Sequence, residues 1–276
     1  METDFGFPVG IFDSGVGGLS VLGAVRAQLP NQPLIYFADQ AHVPYGPRQL
    51  SEVREFSEEV TRFLLAQGAR LIVVACNTAS AAALHSLRLR FPGVPFVGME
   101  PAVKPAAEQT RSGVVGVLAT PATFQGELYA SVVERFAKGV SVLQNTCPGL
   151  VAEIEAGNLN GKAARNILEQ AIQPMLARGA DTIVLGCTHY PFVIPLIEEI
   201  AGSSVRVINP APAVARQVKR LLAENGWLSG GGAAFEGYFT SGNPQKFAFQ
   251  LNGLLGISGM AVTQVVWHMK SVHIAE

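Results

Sequence analysis

The sequence predicts an α/β protein with two pseudo-symmetric domains, each a central, mainly parallel sheet flanked by helices, and an active site in the cleft between them. Three observations carry that expectation. The chain opens on a short apolar run that stops at a glycine-rich turn and continues as helix, the beginning of a parallel βαβ unit. The run LIVVA at 71–75 is apolar at every position, as strands covered on both faces are. A unit of helix end, strand and cysteine then recurs. LAQGA at 65–69 and LARGA at 176–180 both precede an apolar strand ending in cysteine, and one offset of 111 residues carries Ile72 to Ile183, Val73 to Val184 and Cys76 to Cys187. A looser echo, offset by 106, pairs GIFDS at 10–14 with GVLAT at 116–120. These spacings are too long for a solenoid and read as one duplicated α/β domain.

The elements follow in order. A strand over 8–12 ends at Asp13-Ser14-Gly15-Val16-Gly17-Gly18, and the pattern from there to residue 28 is helical. A second strand fits 33–38, and Pro44-Tyr45-Gly46-Pro47 marks a loop. Residues 50–67 form an amphipathic helix with Ser51 near its start and Gly68 beyond its end. The strand at 71–75 gives way to Cys76-Asn77-Thr78 and an alanine-rich helix over 79–90. Further strands fit 95–98, 114–119, 140–143, 182–186 and 205–208, with helices between them. From Trp227 the character changes, with a loop over 229–232 and strands over 235–240 and 260–267. The duplication places a first domain at 1–98 plus 210–276 and a second at 99–209, so that the two strand-end cysteines face each other across a cleft.

Composition narrows the function. Apolar residues make up 49% of the 276 positions and charged residues 15%, against a typical quarter, which excludes a disordered chain. That apolar share leaves room for a subunit contact, and a homodimer stays open as a partner arrangement. The net charge of −1 provides no basic field for nucleic acid. The opening METDFGFPVGIFDSG lacks a positive stretch before an apolar core, so it does not read as a signal peptide. No apolar run reaches the roughly 18 residues of a membrane span. Three cysteines cannot complete a disulfide framework, and free thiols in the cytoplasm are expected.

In an open parallel sheet, ligands sit beyond the carboxyl ends of the strands, where the next helices present free N–H groups. Asp13-Ser14, Cys76-Asn77-Thr78, Thr120 and Cys187-Thr188-His189 occupy such ends. They supply hydroxyls, amides and backbone donors but no Lys or Arg, which suits a small carboxylate better than a nucleotide. The string GVGG at 15–18 is neither GxGxxG nor a P-loop. With no CxxC and no His pair, no metal is expected. Cys147, followed by Pro148, reads as an inert core thiol. Cys76 and Cys187 differ, because a helix N-terminus favours a thiolate. Two thiols on opposite sides of one ligand are what inversion of a Cα stereocentre requires, one taking a proton as the other delivers one. Taken singly, Asp13 reads as a helix cap, His189 as a polar wall residue, Glu155 as a solvated helix residue and Tyr45-Gly46 as a turn. Two other functions remain open. A thiol hydrolase or transferase could use Cys187 with His189 as base, but it leaves Cys76 unused, and residues two apart on a helix do not face each other. A two-lobed amino-acid binding protein would need no cysteines.

Four motifs go further: FDSGVGGLS at 12–20, PYG at 44–46, CNTAS at 76–80 and CTHYP at 187–191. In order and spacing they resemble those of bacterial glutamate racemases, over about residues 8–225. The resemblance implies cofactor-independent interconversion of L- and D-glutamate, supplying D-glutamate for peptidoglycan. It implies that Cys76 and Cys187 are the catalytic bases, assisted by Asp13, Glu155 and His189. The substrate would be cradled by Asp13, Ser14, Tyr45, Gly46, Asn77, Thr78, Thr120, Thr188 and His189. It further implies that Cys76, near Asp13, deprotonates D-glutamate, and that Cys187, near His189, deprotonates L-glutamate. The related aspartate racemases usually follow the second cysteine with Thr-Glu and often carry His where Ser80 stands here, so glutamate is expected over aspartate or another acidic amino acid. Asn209 stands where an acidic residue is common in the family.

Overall fold

The computed structural model describes residues 6–231, 235–269 and 271–275. The first five residues and residue 232 of the expected 229–232 loop lie outside them. Strand β1 (Val9–Asp13) is buried at all five positions and leads through the glycine turn into α1 (Leu19–Gln28). The alternation continues through β2 (Leu34–Ala38), α2 (Leu50–Ala66), β3 (Leu71–Val74), α3 (Asn77–Arg90), β4 (Phe96–Gly98) and α4 (Val103–Gln109). A second series comprises β5 (Val114–Ala119), α5 (Pro121–Gln125), α6 (Glu127–Phe136), β6 (Ser141–Asn145), α7 (Leu150–Glu155), α8 (Lys162–Ala177) and β7 (Thr182–Gly186). A 3-10 turn at Tyr190–Val193, α9 (Ile194–Ala201) and β8 (Arg206–Ile208) complete it. The chain closes with α10 (Ala211–Glu224), β9 (Glu236–Thr240), α11 (Pro244–Leu255), β10 (Val262–His268) and β11 (Ser271–Ile274).

Two sheets result. One has the order β11-β10-β9-β2-β1-β3-β4 and is parallel except for the β10–β11 hairpin. The other, β6-β5-β7-β8, is parallel throughout. The apolar runs fit this arrangement because each sheet is covered on both faces. Val9, Ile11, Leu34 and Tyr36 join Leu22 of α1, Val218 of α10 and Phe247 of α11. Their neighbours Phe12, Ile35 and Phe37 join Val60 of α2 and Leu87 of α3 on the other side. In the smaller sheet, Ile183 and Leu185 face Leu168 and Ile172 of α8, while Val117 and Val184 face Val103 of α4 and Val132 of α6. Each such side chain gains about 1.5–3 kcal/mol by leaving water, so slipping a strand by one residue would sacrifice a whole face.

The differences from expectation are local. The alanine-rich helix starts at Asn77 rather than 79, which makes Cys76 its capping residue. The 140–143 strand runs instead over Ser141–Asn145, and the 260–267 strand over Val262–His268. Strand β11 is additional, a mostly exposed edge segment in which polar and apolar residues alternate over only four positions, the shortest run that marks a strand in sequence. No helix among the described residues is long and apolar enough to cross a membrane.

Candidate active site

The carboxyl ends of β1, β3, β5 and β7, the inner strands of the two sheets, converge. Asp13 is the last residue of β1 and fully buried; its Oδ2 accepts from the Gly15 N–H (3.2 Å) and its Oδ1 from the Thr188 hydroxyl (3.1 Å). Cys76 is in extended conformation at the start of α3, and the N–H groups of Thr78 and Ala79 point at its sulfur. Cys187 directly follows β7, with Sγ 3.8 Å from His189 Nδ1. Both thiols line one narrow pocket, whose empty space including its solvent-open mouth is about 270 Å³, together with Ser14, Pro44, Tyr45, Gly46, Asn77, Thr78, Thr120, Val151, Thr188 and His189. The expected residues Asp13 and Glu155 stand behind its wall. Across the pocket the Thr78 and Thr120 hydroxyls meet at 2.8 Å, and the Tyr45 hydroxyl donates to Asp39 at 2.6 Å. Neither end of the buried Asn77 amide has a hydrogen-bond partner among the described residues. Leaving such a group unmatched costs about 1–3 kcal/mol, which a hydrogen-bonding ligand in the pocket would recover.

The charge arrangement depends on the glycine loop. Glu155 Oε1 accepts from the Val16 N–H at 2.8 Å and from His189 Nε2 at 2.7 Å. A Cβ on Gly17 would strike the His189 ring and stand 2.6 Å from Thr188 Oγ1, and one on Gly15 would strike the Glu155 carboxylate. The glycines thus admit side chains from the other sheet's loops. Burial favours neutral His189, but its contacts with Cys187 and Glu155 prevail and lift its pKa well above the usual imidazole value. Burial likewise works to raise the Glu155 pKa, but His189, the Val16 N–H and Gln40 together hold it below the usual carboxylate value. Glu155 and His189 therefore form a buried ion pair, with His189 Nε2 donating to Glu155 and Nδ1 directed at Cys187. Burial raises the Asp13 carboxyl, against the nearby His189 charge. Burial, then the Asp13 charge, pushes the Cys76 thiol well above its ordinary range, with the Ala79 N–H opposing. Cys147 does not line this pocket, and burial pushes its thiol up to about 12.

Two readings of single residues change. Cys187 and His189 do face each other, because 187–189 is a turn before the 3-10 segment rather than a helix. Glu155, solvated if read alone, is buried at the end of α7. Ser80 is not in the pocket; its hydroxyl donates to the Val74 carbonyl and accepts from the Met99 N–H. The sequence also left residues unremarked. Ser20 Oγ donates to the Thr188 carbonyl at 2.9 Å, and Gln40 and Gln250 reach Glu155. Asp39-Gln40 directly follows β2, so the strand-end rule applied there would have found Gln40; nothing local singles out Gln250. Among the described residues, no group of three or more His, Cys, Asp or Glu side chains is arranged to hold a metal ion.

Residues 20–218 match the family described as Asp/Glu/Hydantoin racemase. A glutamate racemase of Ectopseudomonas mendocina is 52% identical over 249 residues, covering 90% of this chain and 95% of its own. The crystal structure of a Francisella tularensis glutamate racemase in complex with D-glutamate superposes with a TM-score of 0.82 at 28% identity, covering 95% of this chain and 98% of that one. An Escherichia coli glutamate racemase, crystallised with L-glutamate and the activator UDP-MurNAc-Ala, gives 0.82 at 30% identity over 98% and 99% of the two chains.

Proposed function

The chain belongs to the Asp/Glu/Hydantoin racemase family and is an amino-acid racemase; from that premise we propose that it interconverts L- and D-glutamate through Cys76 and Cys187, acting on opposite faces of Cα. One observation carries this reading: two buried thiols from different sheets line one small pocket, each beside its own ionisable neighbour. In the L-to-D direction the Cys187 thiolate removes the Cα proton. The electron pair left on Cα spreads into the substrate's α-carboxylate, and the Cys76 S–H delivers its proton to the opposite face. The cycle leaves Cys187 as thiol and Cys76 as thiolate, the state that runs the reverse reaction, so protons balance without a further reagent. The His189 imidazolium faces Cys187, and Asp13 stands by Cys76. The substrate's carboxylates meet hydroxyls, the Asn77 amide and the α3 N-terminus, which compensate the charge where no Lys or Arg lines the pocket. By the family resemblance the reaction is cofactor-independent and its D-glutamate supplies peptidoglycan synthesis, and the free thiols fit a cytoplasmic setting.

Incubation in D2O with each glutamate enantiomer, followed by NMR and polarimetry, tests this. Deuterium should enter Cα from either enantiomer while optical rotation decays to zero, and aspartate should react at least about tenfold more slowly. Glutamate that keeps its Cα proton would refute the reading.

A further inference from the structure

We propose that Gln250, reaching in from α11, positions Glu155 and through it His189, so that an element near the end of the chain holds the acid–base partner of Cys187 in place. This rests on the two-thiol reading. Glu155 is the last residue of α7, where a helix carbonyl lacks an internal partner. The buried Gln250 amide supplies one, with Nε2 donating to the Glu155 carbonyl at 2.6 Å. Gln250 Oε1 accepts from Gln40 Nε2 at 2.9 Å, and the same Gln40 nitrogen stands 3.4 Å from Glu155 Oε2. Gln40 Oε1 in turn accepts from the Thr240 hydroxyl at 3.0 Å. With an acceptor bond and a donor bond each, neither amide is free to flip, and both NH2 groups are aimed at Glu155. Glu155 is thereby held at its backbone and at its second carboxylate oxygen, while Val16 and His189 use the first.

Among the described residues, the charged or titratable groups acting on the His189–Glu155 pair are Cys187, Asp13 and the Tyr36 hydroxyl. None of them replaces the Gln40 and Gln250 bonds to Glu155. A Gln250 that merely filled space would affect stability and leave His189 unchanged.

The test uses the full chain labelled at histidine, with the His189 signal identified among the five histidines by its loss in His189→Gln. Gln250→Met keeps the volume and removes both hydrogen bonds. Its His189 titration midpoint should fall by about half a pH unit or more, and the alkaline limb of kcat/KM should move down with it. Leu251→Ala, buried one position further along α11, should lower Tm and leave the midpoint in place. Should Gln250→Met fail to fold, Gln40→Met gives the same readout. Midpoints equal to the native one in the folded glutamine variants would overturn the proposal. A native protein that leaves glutamate Cα protons unexchanged would instead overturn the racemase reading, while the titration would still report on the clamp.

Discussion

At the scale of single residues, surroundings separate three buried thiols that share one chemistry. Burial, then the Cys187 charge, keeps Cys147 protonated, with a hydrogen bond from Tyr190 opposing. Cys76 has α3 N–H groups and Asp13, and Cys187 has His189. Serine's hydroxyl is a far weaker acid than a thiol, so it neither gives up its proton readily nor populates the anion that would take one from carbon. Cys76→Ser and Cys187→Ser should each lower kcat for racemisation by about 10²–10⁴, whereas Cys147→Ser should retain turnover within a few-fold, all read by polarimetry. Equal losses at all three positions would show that burial, not proton transfer, sets the effect. The two pocket cysteines are legible in sequence because each follows a buried strand at a duplicated position. Glu155 is singled out only by the family resemblance and not by its local pattern, because its burial comes from the Val16 loop and His189, which are remote in sequence.

At the scale of elements, the β1–α1 turn and α11 use glycine for opposite reasons. Gly17 is forced by the close approach of His189 and Thr188, so an added methyl must displace these two side chains. Gly253 lies within α11 with open space where its Cβ would be. Gly17→Ala should cost about 1–3 kcal/mol and abolish most activity, while Gly253→Ala should stabilise by about 0.5–1 kcal/mol and leave activity unchanged. Urea unfolding with a parallel activity assay checks both. A glycine-rich string after a strand suggests phosphate to a sequence reader; which neighbour comes close depends on a loop of the other sheet, which the local pattern does not encode.

At the scale of the whole molecule, the Glu155–His189 pair joins α7 to the loop after β7 and, through Val16, to the larger sheet, so its ionisation is coupled to overall stability. Glu155 has a folded pKa below the ordinary 4.5, so its contribution is fully present above that value and is lost as pH falls through the folded pKa. His189 has a folded pKa well above the ordinary 6.5, so its contribution is fully present below 6.5 and is lost as pH rises through the folded pKa. The stability difference between the native protein and His189→Gln should therefore be largest between 4.5 and 6.5 and shrink on the alkaline side. Urea unfolding across pH measures it; a difference that grows with alkalinity would show that the imidazole is buried neutral.

By itself the sequence determined the alternation of strands and helices, the strand ends that line the pocket and the pair of duplicated cysteines. These are written in local periodicity, and an apolar run flanked by polar strand-end residues has few other ways to satisfy its backbone and bury its side chains. Tertiary structure alone decided that Glu155 is buried and ionised, that His189 turns toward Cys187, and that Gln250 reaches Glu155 from α11. Those outcomes depend on contacts between residues far apart in the chain, in a low-dielectric interior where a neighbour's charge outweighs a side chain's own preference, and no local pattern specifies which neighbours the fold will supply.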